Sequence, residues 1–196
     1  GVILGGRIGY VIFYNLNFYL ENPIEILKIW QGGMSFHGGL IGVILSIFFF
    51  SKFKKVNFVD LLNLVSSCAP IGLFLGRLAN FVNRELIGRP TNSNWGVVFF
   101  ENDVLRHPSQ IYEAIFEGFI IFIIIFYIIK KKYHTYINTS SLFLIMYGFF
   151  RFSIEFYREP DSHLGFIFMN ISMGQLLCLP MILIGFIFLR KTNVRY

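Results

Sequence analysis

The chain has 196 residues, 55% of them hydrophobic and 14% charged, with a mean hydropathy of +0.63. Soluble domains carry about 25% charged residues, so this composition excludes an ordinary soluble protein and indicates an integral membrane protein. The net charge of +6 lies in short basic clusters between apolar runs, which speaks against a nucleic-acid-binding face. Two cysteines in apolar surroundings, Cys68 and Cys178, speak against a disulfide framework.

The opening stretch, GVILGGRIGYVIFY, lacks an initiator Met and a basic region ahead of a cleavage site. It reads as the interior of a membrane span rather than a signal peptide, and a further N-terminal piece is expected upstream. Arg7 has no evident partner here and faces a cavity, the upstream piece or the headgroup region. Six spans are predicted, at 1–20, 34–51, 60–82, 111–129, 140–157 and 170–189. At about 1.5 Å per residue each is long enough to cross a bilayer core of roughly 30 Å. The predicted fold class is therefore all-α and polytopic, a single transmembrane catalytic domain with one irregular insertion at 83–110.

Basic residues alternate along the gaps. Lys52, Lys54, Lys55, Lys130, Lys131, Lys132, Arg190, Lys191 and Arg195 lie in 52–59, 130–139 and the tail. The intervening gaps 21–33, 83–110 and 158–169 hold seven of the eleven acidic residues. The positive-inside rule puts the lysine-rich gaps and the C-terminus in the cytoplasm and 83–110 outside. That insertion contains Pro90, Asn92, Ser93, Asn94 and Gly96, and its WGVVFF stretch at 95–100 suits a short strand or an interfacial anchor. Trp30 and Tyr112 suit belt positions at the outer edge.

Orientation supplies depth. An ionisable group inside a membrane helix costs about 2.5–3.5 kcal/mol, so each one needs a reason. His37 begins its span from the outside. Arg77 lies about five residues before the outer end of its own, and Arg151 and Glu155 occupy the last turns of 140–157. His107, Gln110 and Glu113 open 111–129 from the same side. Four spans thus bring polar groups to one level. Arg77 either snorkels to the headgroups or holds an anion, for which a planar guanidinium is well suited. Arg151 and Glu155, spaced i,i+4, either neutralise each other or leave a positive excess with Arg77, since one carboxylate cannot balance two arginines. His37 is either a hydrogen-bonded helix-start residue or a proton acceptor. Gly38, Gly39 and Gly42 around it allow close approach of a helix or a ligand.

Asn80 shares the Arg77 face and Asn83 extends it; Glu85, just beyond, has Arg84 and Arg89 as available partners. Tyr147 is one turn before Arg151, and Glu117 lies deeper on the Glu113 face. No metal-ligand spacing and no nucleotide phosphate loop occurs, so no metal or cofactor is expected. The residues alone describe a net-positive pocket open to the outer leaflet. They favour an enzyme acting on an anionic phospholipid over an anionic lipid transporter, which more often places its polar groups at the midplane.

The stretch GRLANFVNRELIG at 76–88 resembles the signature of the prolipoprotein diacylglyceryl transferase family, Gly-Arg-x-Gly/Ala-Asn-Phe, an apolar residue, then Asn-x-Glu-x-x-Gly. HGGLIG at 37–42, RHPSQIYEA at 106–114 and YGFFRFSIEFYREPD at 147–161 resemble further motifs of that family, in the same order. The resemblance implies seven spans in the whole protein, a cytoplasmic C-terminus and a site at the outer leaflet of the bacterial inner membrane. It implies transfer of the diacylglyceryl group of phosphatidylglycerol to the lipobox cysteine thiol of a prolipoprotein signal peptide, with release of glycerol 1-phosphate. It marks His37, Arg77, Asn80, Gly88 and Arg151 as essential and Glu85, Tyr147 and Glu155 as important. The expected roles are His37 as base, Arg77 and Arg151 as phosphate clamps, and Glu155 as the group orienting Arg151. Alternatively His37 orients the headgroup and Arg151 or Glu155 helps deprotonate the thiol. Substrate contacts are expected from Gly38, Gly39, Asn80, Asn83, Glu85, Gly88, His107, Gln110, Glu113 and Tyr147. Another phospholipid-headgroup transferase is the rival enzyme reading.

Overall fold

A computed structural model describes residues 1–14, 16–101, 103–133, 137–159, 166–168 and 171–189. The tail residues Arg190, Lys191 and Arg195, and Pro160 and Asp161 of the last motif, lie outside the described residues. The helices are α1 (Val2–Tyr14), α2 (Leu16–Glu21), α3 (Phe36–Lys54), α4 (Phe58–Val82), α5 (Ser109–Lys130), α6 (Thr139–Ile154) and α7 (Met173–Ile187). A helix overlaps each of the six predicted segments. Two of them, Phe58–Val82 and Ser109–Lys130, are long and apolar enough to cross a membrane; Val2–Phe13, Thr139–Ile154 and Gly174–Ile187 are shorter apolar helices. The chain is thus a predominantly helical membrane protein. It also contains a small antiparallel ladder, β1 (Phe166–Phe168) with β2 (Ile171–Ser172), immediately before α7.

The burial pattern is inverted relative to a soluble domain. Large apolar side chains such as Leu75, Phe149, Leu183 and Phe186 are exposed, whereas Arg7, Gln110, Glu113, Glu117 and Glu155 are buried. Lipid is the solvent that suits the first set, and the second set must be satisfied internally.

Two compact units divide the chain at Leu62/Asn63, within α4. In the first, α1 and α3 cross on glycines. A Cβ at Gly9 would come 2.7 Å from the Gly38 Cα, and Gly5 and Gly42 meet with similar closeness. Small residues let the two backbones approach as membrane helices do. Ser35 caps α3 by accepting from the Gly38 amide at 3.2 Å, and its own amide donates to the Gly6 carbonyl at 2.8 Å. Arg7 is buried, and its partners are backbone carbonyls. It donates to Ile26 at 2.9 Å, Glu25 at 2.6 Å, Gly32 at 2.6 Å, Gly33 at 3.1 Å and Lys28 at 3.4 Å. The short 3₁₀ turns Pro23–Leu27 and Ile29–Gln31 are therefore wrapped around one guanidinium. Gly33, at φ +77°, passes so close to Tyr10 and Arg7 that no side chain fits there.

In the second unit Asn63 ties α4 to the start of α6. Its Oδ1 accepts from the Ser140 amide at 3.0 Å and hydroxyl at 2.8 Å. At the same level Asn138 and Ser141 satisfy the Phe188 carbonyl at the end of α7, at 2.7 and 2.9 Å. Gly148 and Gly185 bring α6 and α7 together, a Cβ at either meeting the neighbour at 2.6–2.8 Å.

The insertion 83–108 is folded by backbone pairing. The amides of Arg89 and Thr91 donate to the carbonyls of Tyr157 and Leu105, and Val97 and Arg106 exchange two bonds at 2.9 and 3.0 Å. The WGVVFF stretch thus makes one bridge at Val97, while its Trp95 stays exposed and donates to the Tyr112 hydroxyl at 3.0 Å. Arg106 ties the base of the insertion to Asp103 at 3.0 Å and Glu159 at 2.6 Å.

Candidate functional site: a buried arginine–glutamate centre

The centre is built on α4, α5 and α6, and its geometry starts from one glycine. A Cβ at Gly118 would stand 2.7 Å from the Phe74 Cα, so only glycine lets α5 lie this close to α4. Arg77 is one turn beyond Phe74 and thereby reaches the acidic stripe of α5. The middle of α5, Ala114–Ile120, winds as a π-helix, whose wider i→i+5 turn is rare and often found at functional sites. Gln110, Glu113 and Glu117 all project into the protein, each fully buried.

Glu113 stands between the two arginines. Arg151 Nη1 donates to its Oε1 at 2.7 Å, and Arg77 Nε lies 2.9 Å from its Oε2. Arg158 Nη1 is 4.0 Å from the same carboxylate. Glu117 is more loosely held, 3.5 Å from Arg77 Nη2 and 3.8 Å from Arg151 Nη1. Glu155, one turn after Arg151 on α6, pairs with its Nη2 at 2.7 Å. The expectation that one carboxylate must serve two arginines is therefore corrected: three carboxylates face three arginines. Depth restores a sign to the site. The side chains of Arg77 and Arg151 keep 15% and 11% exposure, while Glu113 and Glu117 keep none. The guanidiniums are therefore the more accessible groups, with Glu113 and Glu117 behind them. Each guanidinium has five N–H donors, and the ion pairs occupy only some of them.

The family model described as prolipoprotein diacylglyceryl transferase matches residues 1–190. The chain is similar to proteins named phosphatidylglycerol–prolipoprotein diacylglyceryl transferase. One, from Rickettsia bellii, is 50% identical over 203 residues, covering 100% of this chain and 75% of the relative. Others are from Rickettsia felis (48%, covering 98% and 76%) and Wolbachia pipientis (48%, covering 100% and 76%). The chain belongs to the prolipoprotein diacylglyceryl transferase family. It is accordingly a transferase and a multi-pass protein of the bacterial inner membrane.

The other motif residues of the family fall in three places. Asn80 and Glu85 close the end of α4 on each other: the Asn80 amide side chain donates to Glu85 Oε2 at 3.0 Å, and the Glu85 amide to the Asn80 carbonyl at 2.9 Å. Glu85 thus pairs with Asn80 rather than with Arg84 or Arg89 as expected; Arg84 sits in a left-handed turn, and Arg89 donates to the Arg158 carbonyl at 2.8 Å. Asn83 is exposed just beyond. Gly88 is packed between the His107 and Tyr157 carbonyls, where a Cβ would come 2.9 Å from the latter. Tyr147 stacks on Phe143 with centroids 5.6 Å apart, one turn before Arg151.

His107 takes part in an aromatic group at the base of the insertion. Its Nδ1 is 3.3 Å from the Tyr112 hydroxyl, and its ring meets Tyr157 edge-on at 5.1 Å. Gln110 donates to the Glu85 carbonyl at 2.6 Å, linking α5 to the Asn80–Glu85 closure. In the first unit, Gly38 packs on α1, whereas Gly39 keeps ordinary contact with Val2 and Gly6 and borders a groove beside Met34 and Leu40. His37 is the second residue of α3, and its side chain lies outside the described ones. Two structural residues escaped sequence reasoning: Arg7 as a loop anchor and Ser172 as the cap of α7. Glu117 was visible as the i+4 partner of Glu113 on an otherwise apolar face.

Proposed function

We propose that this chain transfers the diacylglyceryl group of phosphatidylglycerol to the lipobox cysteine of a prolipoprotein, and that the Arg77–Glu113–Arg151 centre is where the phosphate is held. In this reaction the cysteine sulfur forms a bond to the glyceryl carbon, the bond from that carbon to the phosphate oxygen breaks, and glycerol 1-phosphate leaves. The observation that carries the assignment is the ordering of charge, two partly exposed guanidiniums in front of fully buried carboxylates. Arg77 and Arg151 bind the phosphodiester through their remaining donors and stabilise the charge that grows on the leaving oxygen. Glu113 keeps the pair at fixed spacing. Glu155 orients Arg151. Asn80 contacts the headgroup. A thiol with an ordinary pKa of about 8.5 must lose its proton to attack, and His37 takes it. The lipid and the signal peptide follow from the family, and the cytoplasmic C-terminus, the six spans of this chain and the outer-leaflet site follow the positive-inside reading.

Labelled phosphatidylglycerol and a lipobox peptide, supplied to the protein in vesicles, test the reading. The expected product is a diacylglyceryl mass on the cysteine. Full transfer by a well-folded Arg77→Ala or Arg151→Ala protein overturns the phosphate assignment. His37→Gln is expected to slow transfer while lipid binding survives, and a rate independent of pH from 6 to 9 removes His37 from proton transfer.

A further inference from the structure

We infer that Ser172 is a positioning residue for this reaction, holding Glu155 and through it Arg151 by means of the N-terminus of α7. The inference rests on the assignment of Arg151 to the transfer centre. Glu155 divides its two oxygens: Oε2 lies 2.7 Å from Arg151 Nη2, and Oε1 accepts from the Ser172 hydroxyl at 2.9 Å. The same hydroxyl is the N-cap of α7, accepting from the Gln175 amide at 3.3 Å, while the Gln175 side chain accepts from the Ser172 amide at 3.1 Å. A hydroxyl has one donor and two lone pairs, so it performs both tasks at once. Ser172 and Gln175 are buried, and Ser172 is itself registered against Phe166 by the β1–β2 ladder.

The first turn of α7 is shaped to take the carboxylate. A Cβ at Gly174 would come 2.9 Å from Glu155 Oε1 and 3.3 Å from Oε2, so the absence of a side chain there is what admits the group. The carboxylate consequently lies at the positive end of a 15-residue helix, where negative charge is favoured. Arg151 has a long flexible stem, and its guanidinium plane is defined by two anchors. One is Glu113 at Nη1, and the other is Glu155 at Nη2. Ser172 fixes the oxygen of Glu155 that Arg151 does not hold, and so sets the carboxylate plane that Arg151 meets. Ser172 does not touch Arg151 and acts only through Glu155.

The test uses the full chain in vesicles with phosphatidylglycerol and a lipobox peptide, comparing Ser172→Ala, Ser172→Thr and Gln175→Ala. Ser172→Ala is expected to lower kcat about tenfold with KM for phosphatidylglycerol within about twofold of the parent. A tenfold change corresponds to the lower end of what one hydrogen bond to a charged group contributes. Ser172→Thr retains both the cap and the bond to Glu155 and is expected within about threefold of the parent. Gln175→Ala weakens the cap without removing a partner from Glu155 and is expected to keep kcat within about threefold. An unchanged kcat for Ser172→Ala, an equal loss in Gln175→Ala, or no recovery with threonine each overturns the inference. Transfer surviving Arg151→Ala overturns instead the assignment of the centre, so the two failures are separable.

Discussion

At the scale of single residues, the site is a competition between desolvation and pairing. Removing one partner of a buried ion pair leaves an uncompensated charge and typically costs about 3–5 kcal/mol. Glu113 is the residue with most to lose, because it faces Arg77, Arg151 and Arg158 together. Glu113→Gln is expected to lower the thermal unfolding midpoint and reduce transfer by at least a hundredfold. Glu117→Gln, whose contacts are longer, is expected to lower transfer less than tenfold. Initial rates and thermal scans of the two variants in one detergent check the ordering, and equal losses would refute it. The arginines and Glu155 were legible in the sequence because they interrupt apolar runs. The centrality of Glu113 was not, since spacing along one helix does not tell which neighbouring helices supply its partners.

At the scale of elements, glycines set how near the helices come. Gly118→Val places methyl groups into the Phe74 backbone and is expected to push α5 from α4, separating Glu113 from Arg77. The expected outcome is loss of transfer with helix content kept, measured by assay and circular dichroism; a fully active Gly118→Val protein would sink the account of how the centre is built. Arg7 has an equivalent role in the first unit. Arg7→Ala leaves five carbonyl contacts without their donor and is expected to make residues 23–33 susceptible to limited proteolysis at concentrations that leave the parent intact. The glycines near His37 were open to two readings from sequence. The structure assigns Gly38 and Gly42 to helix packing because α1 carries matching glycines at the facing positions.

At the scale of the whole molecule, orientation in the bilayer carries the functional reading, because it decides which leaflet supplies the lipid. The exposed Asn94 in the insertion and Lys131 after α5 are convenient reporters. In cells, Asn94→Cys is expected to react with a membrane-impermeant maleimide, and Lys131→Cys only after permeabilisation. The reverse pattern would move the site to the cytoplasmic leaflet and remove the argument for a lipobox substrate.

The sequence by itself determined the solvent of this protein, its predominantly helical class and the polar residues that break its apolar runs. Those properties are local: composition, run length and position within a run suffice, and one signature of thirteen residues was specific enough to indicate the family. Only the tertiary structure decided how the charges combine. It set three carboxylates among the arginines where one was expected, gave Arg7 carbonyls for partners, and coupled Glu155 to the start of α7. The physical reason is that a buried charge is satisfied by whatever the packing brings within about 3–4 Å. Across a helix bundle those neighbours come from residues far apart in the chain. The opposed guanidiniums were thus readable as a need, and the fold supplied what meets it.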